Sequence, residues 1–214
     1  MFFFPVGCLI FLVFILFLPI LFILGYFHIV TIGFEKLGLS STATILVLFL
    51  MLFGSGINIP LTRQQVFEVE ESSFFGLFKR KTQRVRGLTI NLGGAIIPVL
   101  LSIYFLTKVS LKPVLIATLL MVLVTKYLAR IIPGRGIVIP FLIPPLLALF
   151  FALILAPEFP APCAFVSGVL GTLIGGDILN LRRAIKLSPG LISIGGAGAF
   201  DGIFLVGIIS ALLA

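Results

Sequence analysis

Asp177 and Asp201 lie in two of the most apolar stretches of a 214-residue chain that has only seven acidic residues. A carboxylate near the middle of a membrane helix costs about 2.5–3.5 kcal/mol on insertion scales. Two of them in consecutive segments, each beside glycines, therefore point to use. The segments read Gly171-Thr-Leu-Ile-Gly-Gly-Asp177-Ile-Leu-Asn-Leu and Ile192-Ser-Ile-Gly-Gly-Ala-Gly-Ala-Phe-Asp201-Gly-Ile-Phe. If the two carboxylates face each other a few ångströms apart, they do not both ionise easily. They share a proton, and one serves as base while the other serves as acid. Such a pair can activate a water while protonating a carbonyl oxygen, which is the chemistry of acid–base amide hydrolysis.

The elements that must hold these residues follow from composition. With 60% hydrophobic residues, 10% charged residues, 23 Phe and no Trp, the chain has too little polar surface to cover a soluble globule. It reads as an all-α polytopic membrane protein, one transmembrane domain over 1–214. Apolar runs of the length needed to cross about 30 Å of hydrocarbon fall at 3–27, 42–61, 88–107, 113–128, 140–157, 162–181 and 191–214. The first run has no basic n-region and no small-residue cleavage site, so it is expected to be retained.

Lys and Arg favour the cytoplasmic side of short loops. Arg63, Lys79, Arg80, Lys81, Arg84, Arg86, Lys126, Arg130, Arg135, Arg182, Arg183 and Lys186 fall on one side of the seven crossings, against Lys36, Lys108 and Lys112 on the other. This places the N-terminus in the cytoplasm and the protein in the cell membrane. The net charge of +8 is then a topology signal with some attraction to anionic lipid, and nucleic acid is not an expected partner. Tyr26, Tyr104 and Tyr127 fall near predicted helix ends, where amphipathic rings favour the interface. Cys8 is expected in the first helix towards the cytoplasm and Cys163 at the outer end of the sixth, so the two should not pair. A lone histidine, His28, without a cysteine cluster gives no expectation of a zinc site, and no metal is assigned. No phosphate loop or dinucleotide fingerprint stands in a suitable context, so no cofactor is expected.

The longest polar stretch is the predicted cytoplasmic loop 62–87. Its first part alternates apolar and charged residues as a short strand would, and Phe74-Phe-Gly-Leu-Phe78 followed by basic residues suits a membrane surface. It reads as an interfacial loop, with a small hairpin able to receive an extended partner strand as the alternative. A faint internal repeat frames the aspartates. Phe53-Gly-Ser-Gly-Ile-Asn58 compares with Ile174-Gly-Gly-Asp177-Ile-Leu-Asn180, and Ile90-Asn91-Leu-Gly93-Gly94-Ala95 with Ile192-Ser193-Ile-Gly195-Gly196-Ala197. A repeat of this kind is parallel, with its pseudo-axis along the membrane normal.

Glycines also let helix backbones approach closely, and Gly168, Gly171, Gly175 and Gly176 could form a packing face and no more. The plain account of Asp177 is a hydrated residue near a helix end, paired with Arg182 or Arg183. Asp201 has no basic residue within fourteen positions. If 191–197 enters as extended or broken backbone, as Gly195, Gly196 and Gly198 permit, the last helix begins near Ala199. Asp201 then sits in its first turn, where the helix dipole favours an anion.

The strings Ile57-Asn-Ile-Pro-Leu61, Asn91-Leu-Gly-Gly-Ala-Ile-Ile-Pro98, Gly175-Gly-Asp-Ile-Leu-Asn-Leu181 and Gly195-Gly-Ala-Gly-Ala-Phe-Asp-Gly-Ile-Phe204 together resemble the archaeal and bacterial membrane-protein family known as domain of unknown function 1614. That resemblance covers nearly the whole chain and carries no established activity. A second, architectural resemblance is to the GxGD intramembrane aspartyl proteases, the presenilin, signal-peptide-peptidase and prepilin-peptidase group. Those enzymes carry one catalytic Asp in a helix running towards the cytoplasm and another at a Gly-x-Gly-Asp motif in the next helix. This resemblance implies catalytic roles for Asp177 and Asp201. In this sequence the first Asp follows Gly175-Gly176 rather than Tyr, the second ends Gly196-Ala-Gly198-Ala-Phe-Asp201, and no Pro-Ala-Leu-Pro motif follows.

Three function classes stand open. The leading one is an intramembrane aspartyl hydrolase acting on a transmembrane peptide, with Gly175, Gly176, Gly195, Gly196 and Gly198 shaping the backbone. The second is an ion- or proton-coupled carrier of a small solute, in which Asn58, Asn91, Asn180 and Ser193 line the path beside the aspartates. The third is a noncatalytic scaffold in which the carboxylates bond glycine-freed backbone N–H groups. In all three the lipid bilayer is the first partner.

Overall fold

The structure is a computed structural model that describes residues 6–73, 78–132, 136–187 and 190–196, together with Leu205 and Ile209. It is mostly helical. Helix α1 runs Val6–Lys36, α2 Ser41–Gly54, α3 Ile97–Leu106, α4 Leu111–Leu128, α5 Ile143–Leu155, α6 Pro160–Gly171 and α7 Leu181–Leu187. Two π-helical segments extend this set: Leu92–Ile96 leads into α3, and Thr172–Ile178 continues α6. Three stretches are helical, long and apolar enough to cross a membrane: Ile15–Lys36, Leu111–Leu128 and Pro160–Ile178. The helices Ser41–Gly54, Leu92–Leu106 and Ile143–Leu155 are shorter.

Helix α6 is the centre of the bundle. Its residues Cys163 to Val169 are almost all sealed from the surface, and α3, α4 and α5 pack around them. Phe165 meets Phe34 of α1 and Phe105 of α3 edge-to-face, with ring centroids 6.1 and 5.1 Å apart. Aromatic pairs prefer this geometry because the positive ring edge meets the negative face. By contrast, Ile15 to Leu24 of α1 present one apolar side chain after another to the outside. This inverts the pattern of a soluble protein and suits a lipid environment.

The expectation of an all-α chain is corrected by a sheet. Strand β1 is Asn58–Pro60, β2 Gln65–Ser73, β3 Phe78–Asn91 and β6 Leu191–Ile194. β2 and β3 form an antiparallel hairpin from Gln65↔Arg86 to Ser73↔Phe78. The interfacial-loop reading of 62–87 therefore gives way to the hairpin. β1 continues the β2 side, pairing Asn58↔Asn91 and Pro60↔Thr89. β6 pairs with β3 in parallel, from Gly87↔Leu191 to Ile90↔Ile194. Since Thr89 and Ile90 pair with both β1 and β6, those two strands occupy opposite edges of β3. A separate ribbon joins β4, Arg130–Ile132, to β5, Gly136–Val138.

Several helix boundaries shift as a result. The run 42–61 is helical only to Gly54, and 88–91 is strand rather than the first turn of a helix. Leu88 to Ile90 give their backbone groups to neighbouring strands on both edges, which leaves none for a helical ladder. The run 162–181 stops at Ile178, and the basic connection that follows is itself the short helix α7. The last run, read first as helix from 191, opens as strand β6 and turns at Gly195, the alternative that its glycines allowed. α1 runs on past Tyr26 to Lys36, while Tyr104 and Tyr127 do stand near helix ends.

Candidate functional site

Asp177 is carried by the π-helical end of α6. In a π-helix the N–H groups reach one residue further back than in an α-helix, and such segments recur at functional sites. Here the widened turn keeps Asp177 inside the bundle, with 2% of its surface exposed. Its Oδ2 accepts a hydrogen bond of 2.7 Å from the backbone N–H of Gly195. Neither Arg182 nor Arg183 forms an ion pair with it among the described residues, so the plain account of a hydrated, arginine-paired carboxylate does not describe it.

Gly195 reaches Asp177 because β6 ends there in a left-handed turn. Its φ is +66°, a conformation open to glycine and costly for other residues. It also lies backbone to backbone against Gly94, so that a Cβ on Gly195 would come within 2.6 Å of the Gly94 carbonyl oxygen. The two segments compared as a repeat, around Gly93-Gly94 and Gly195-Gly196, thus lie side by side. Their preceding strands are hydrogen-bonded in parallel and their glycines are in contact.

Three of the four residues expected along a polar path form one network. Asn58 Oδ1 accepts from Asn91 Nδ2 at 3.1 Å and from Ser193 Oγ at 2.6 Å. Asn91 is buried and spends the rest of its amide locally: Nδ2 donates to the Ser55 carbonyl at 2.7 Å, and Oδ1 accepts from Gly94 N–H at 2.7 Å. It closes the C-terminus of α2 and caps the π-segment before α3 at once. Asn58 is exposed and Ser193 half-buried, so the network runs from the surface inward.

Asn180 stands apart from this network. Its Nδ2 donates to the carbonyls of Gly175 at 3.0 Å and Gly176 at 3.1 Å, and its 3.4 Å contact with the Lys126 carbonyl ties the end of the π-segment to α4. Gly175 packs directly on α4, where a side chain would run into the Val122 carbonyl and Thr125. Gly176 faces Ile139, and Gly196 sits half-buried beside Ser193. Gly198 and Asp201 lie outside the described residues.

Thr125, unmarked in the sequence reading, is a further polar link. Its hydroxyl lies 2.8 Å from the Met121 carbonyl of its own helix and 2.7 Å from the Gly171 carbonyl of α6. Thr125 and Thr118, the two hydroxyls within the apolar run 113–128, were the signal available. Thr172 opens the same π-segment that carries Asp177, and its buried hydroxyl has no partner among the described residues. Among those residues no group of three His, Cys, Asp or Glu gathers as a metal site would need.

Chemically, the centre offers a buried carboxyl group with one oxygen fixed by a backbone donor. Oδ1 has no hydrogen-bond partner among the described residues. A carboxyl group held at one oxygen and free at the other can exchange a proton without losing its position.

No curated protein and no solved structure matches the chain. The family model described as protein of unknown function (DUF1614) matches residues 52–213. The match takes in Asn58, Asn91, Asp177 and Gly195 and leaves out α1. By this match over most of its length, the chain belongs to the DUF1614 family.

Proposed function

We propose that the protein is a multi-pass protein of the cell membrane and works there as an aspartyl hydrolase on transmembrane peptides, with Asp177 and Asp201 sharing a proton to activate water. The observation that supports this reading is the hydrogen bond from Gly195 to the buried Asp177, because Gly195 lies only six residues before Asp201 in the chain. The bond draws the segment that leads to the second carboxylate against the first.

A scaffold role would also use a carboxylate to bond a backbone N–H. An asparagine side-chain oxygen accepts the same hydrogen bond without burying a potential charge, and burying charge is the larger cost. The choice of Asp over Asn therefore favours a role for the proton. The Asn58–Asn91–Ser193 network favours proton-coupled transport as the second reading, since it supplies polar groups from the surface towards the same centre.

Cleavage of a fluorogenic transmembrane peptide by the full chain in proteoliposomes tests the first reading. Asp177→Asn and Asp201→Asn should each abolish it. Spin labels on Asp177→Cys and Asp201→Cys, in a background without Cys8 and Cys163, should report a short distance. A separation beyond about 10 Å removes the direct two-carboxylate mechanism. Proton flux lost in Asp177→Asn, with no cleavage in the wild type, would select the carrier.

A further inference from the structure

A cleft of about 270 Å³ opens at the base of the β2–β3 hairpin, between the hairpin, α7 and the start of β6. Arg63, Arg86 and Gln65 line it, and Leu88, Ile185 and Ile192 contribute apolar surface. Among the described residues no acidic side chain lines it. On the hairpin the nearest acidic position is Glu68, opposite Gln83, while Glu70 and Glu71 stand opposite Lys81 and Arg80 farther out.

Several backbone groups around the cleft are already engaged. Gly87 N–H donates to the Gly190 carbonyl at 3.4 Å, Leu88 N–H to Thr62 Oγ1 at 2.9 Å, and Thr62 N–H to the Leu88 carbonyl at 3.3 Å. The guanidinium side chains are the charged groups that a ligand would meet. Among the described residues Arg86 makes one long contact of 3.4 Å, from its Nη2 to the Ile185 carbonyl of α7, and its other donors have no partner there. Arg63 is exposed and has no ion pair or hydrogen bond among the described residues. Guanidinium groups present planar forks of N–H donors that match phosphate oxygens.

From these features we infer that the cleft binds a phosphate group attached to an apolar moiety, held by Arg63 and Arg86 with the attached carbons against Leu88, Ile185 and Ile192. A membrane phospholipid headgroup and a soluble phosphate ester share this chemistry. The basic face of α7, with Arg182, Arg183 and Lys186, adds attraction for either. The proposal does not depend on the hydrolase reading, and Asp177 is not among the residues lining the cleft. Its occupant would bridge the hairpin to α7 and so steady the strand that carries Gly195.

The test uses the full chain in nanodiscs of phosphatidylcholine containing a minor share of phosphatidylglycerol, with retained lipids counted by native mass spectrometry. Arg63→Gln should lower retained phosphatidylglycerol about fivefold, the effect of one basic residue at a membrane surface. Lys108→Gln, near the far end of α3, should leave it unchanged. Arg86→Lys keeps the charge and loses the fork, and should give an intermediate loss. Arg63 makes no bond among the described residues, so its variant should melt like the wild type in phosphatidylcholine alone. In lipid-free detergent, inorganic phosphate at matched ionic strength should raise the melting temperature of the wild type and not of Arg63→Gln if the source is a soluble ester. Equal retention of phosphatidylglycerol by wild type and Arg63→Gln, together with no phosphate shift, overturns the proposal.

Discussion

The backbone N–H of Gly195 and the Oδ2 of Asp177 are 2.7 Å apart, although the residues are separated by 18 positions and belong to a strand end and a broken helix. The bond fixes one oxygen of a carboxyl group in a setting where an unpaired polar group is costly. Asp177→Asn should preserve it through the amide oxygen and change the unfolding free energy little. Asp177→Leu leaves the Gly195 N–H without a partner and should cost about 1–3 kcal/mol. Melting in a common detergent compares the two. If Asn unfolds the protein as readily as Leu, the carboxylate is structural and the hydrolase reading loses its support.

Gly195→Ala should destabilise through both conformation and contact, since it combines a φ of +66° with the backbone of Gly94 at close range. Gly136 provides the control. Its φ is +83° but none of the described residues stands within 4 Å of an added Cβ, so Gly136→Ala should show the conformational cost alone, about 1–2 kcal/mol. A Gly195→Ala loss no larger than that of Gly136→Ala would mean that the Gly94–Gly195 contact relaxes freely.

Asn91→Ala orphans the Gly94 N–H and the Ser55 carbonyl together, and a loss of about 1–3 kcal/mol is expected from the unmet groups. Asn58→Ala removes an exposed partner whose neighbours can turn to water, and should cost less. A double-mutant cycle between Asn58 and Asn91 measures the coupling of their 3.1 Å bond directly.

Thr125→Val keeps the shape of the side chain and removes the hydroxyl between α4 and α6. Interhelical hydrogen bonds in membrane bundles average about 0.6 kcal/mol and reach about 1.7. The expected loss lies in that range, read by denaturant titration in mixed micelles.

Cys163 is unpaired and fully buried in α6. In a Cys8→Ala background, a maleimide should label it only as the bundle opens, so labelling rate against denaturant reports global unfolding. Rapid labelling under native conditions would show that α6 is not sealed as described.

Apolar runs located the helices because burial in lipid or in the bundle demands the same composition. Those runs could not show that Leu88 to Asn91 leave the helix, because a short apolar stretch reads alike in either state until its partners are known. The partner of Thr89 is Ser193, far along the chain, and no local pattern announces a pairing of that range. The run Leu191-Ile-Ser-Ile194 is too short to show a period, and it was the glycines after it that raised the extended or broken-backbone alternative. Asp177 was legible because its burial is costly. The capping role of Asn91 was legible too, since an Asn three residues before the Gly94 N–H is a familiar helix start, but a functional reading of the amide hid it. The link between Asn180 and the carbonyls of Gly175 and Gly176 depends on the π-segment, which composition does not announce.

The parallel pairing of β3 with β6 also sets an order of events during synthesis. Thr89 and Ile192, joined across that pairing, are 103 residues apart, and a ribosome working at about 5–20 residues per second needs roughly 5–20 s to make the chain between them. Throughout that interval β3 already has β1 and the hairpin but lacks its second edge, and Asp177, when it emerges, still lacks its backbone donor. The carboxyl site therefore matures late, after the surrounding helices have been made, and a nascent chain interrupted before β6 would hold the acid without the means to orient it.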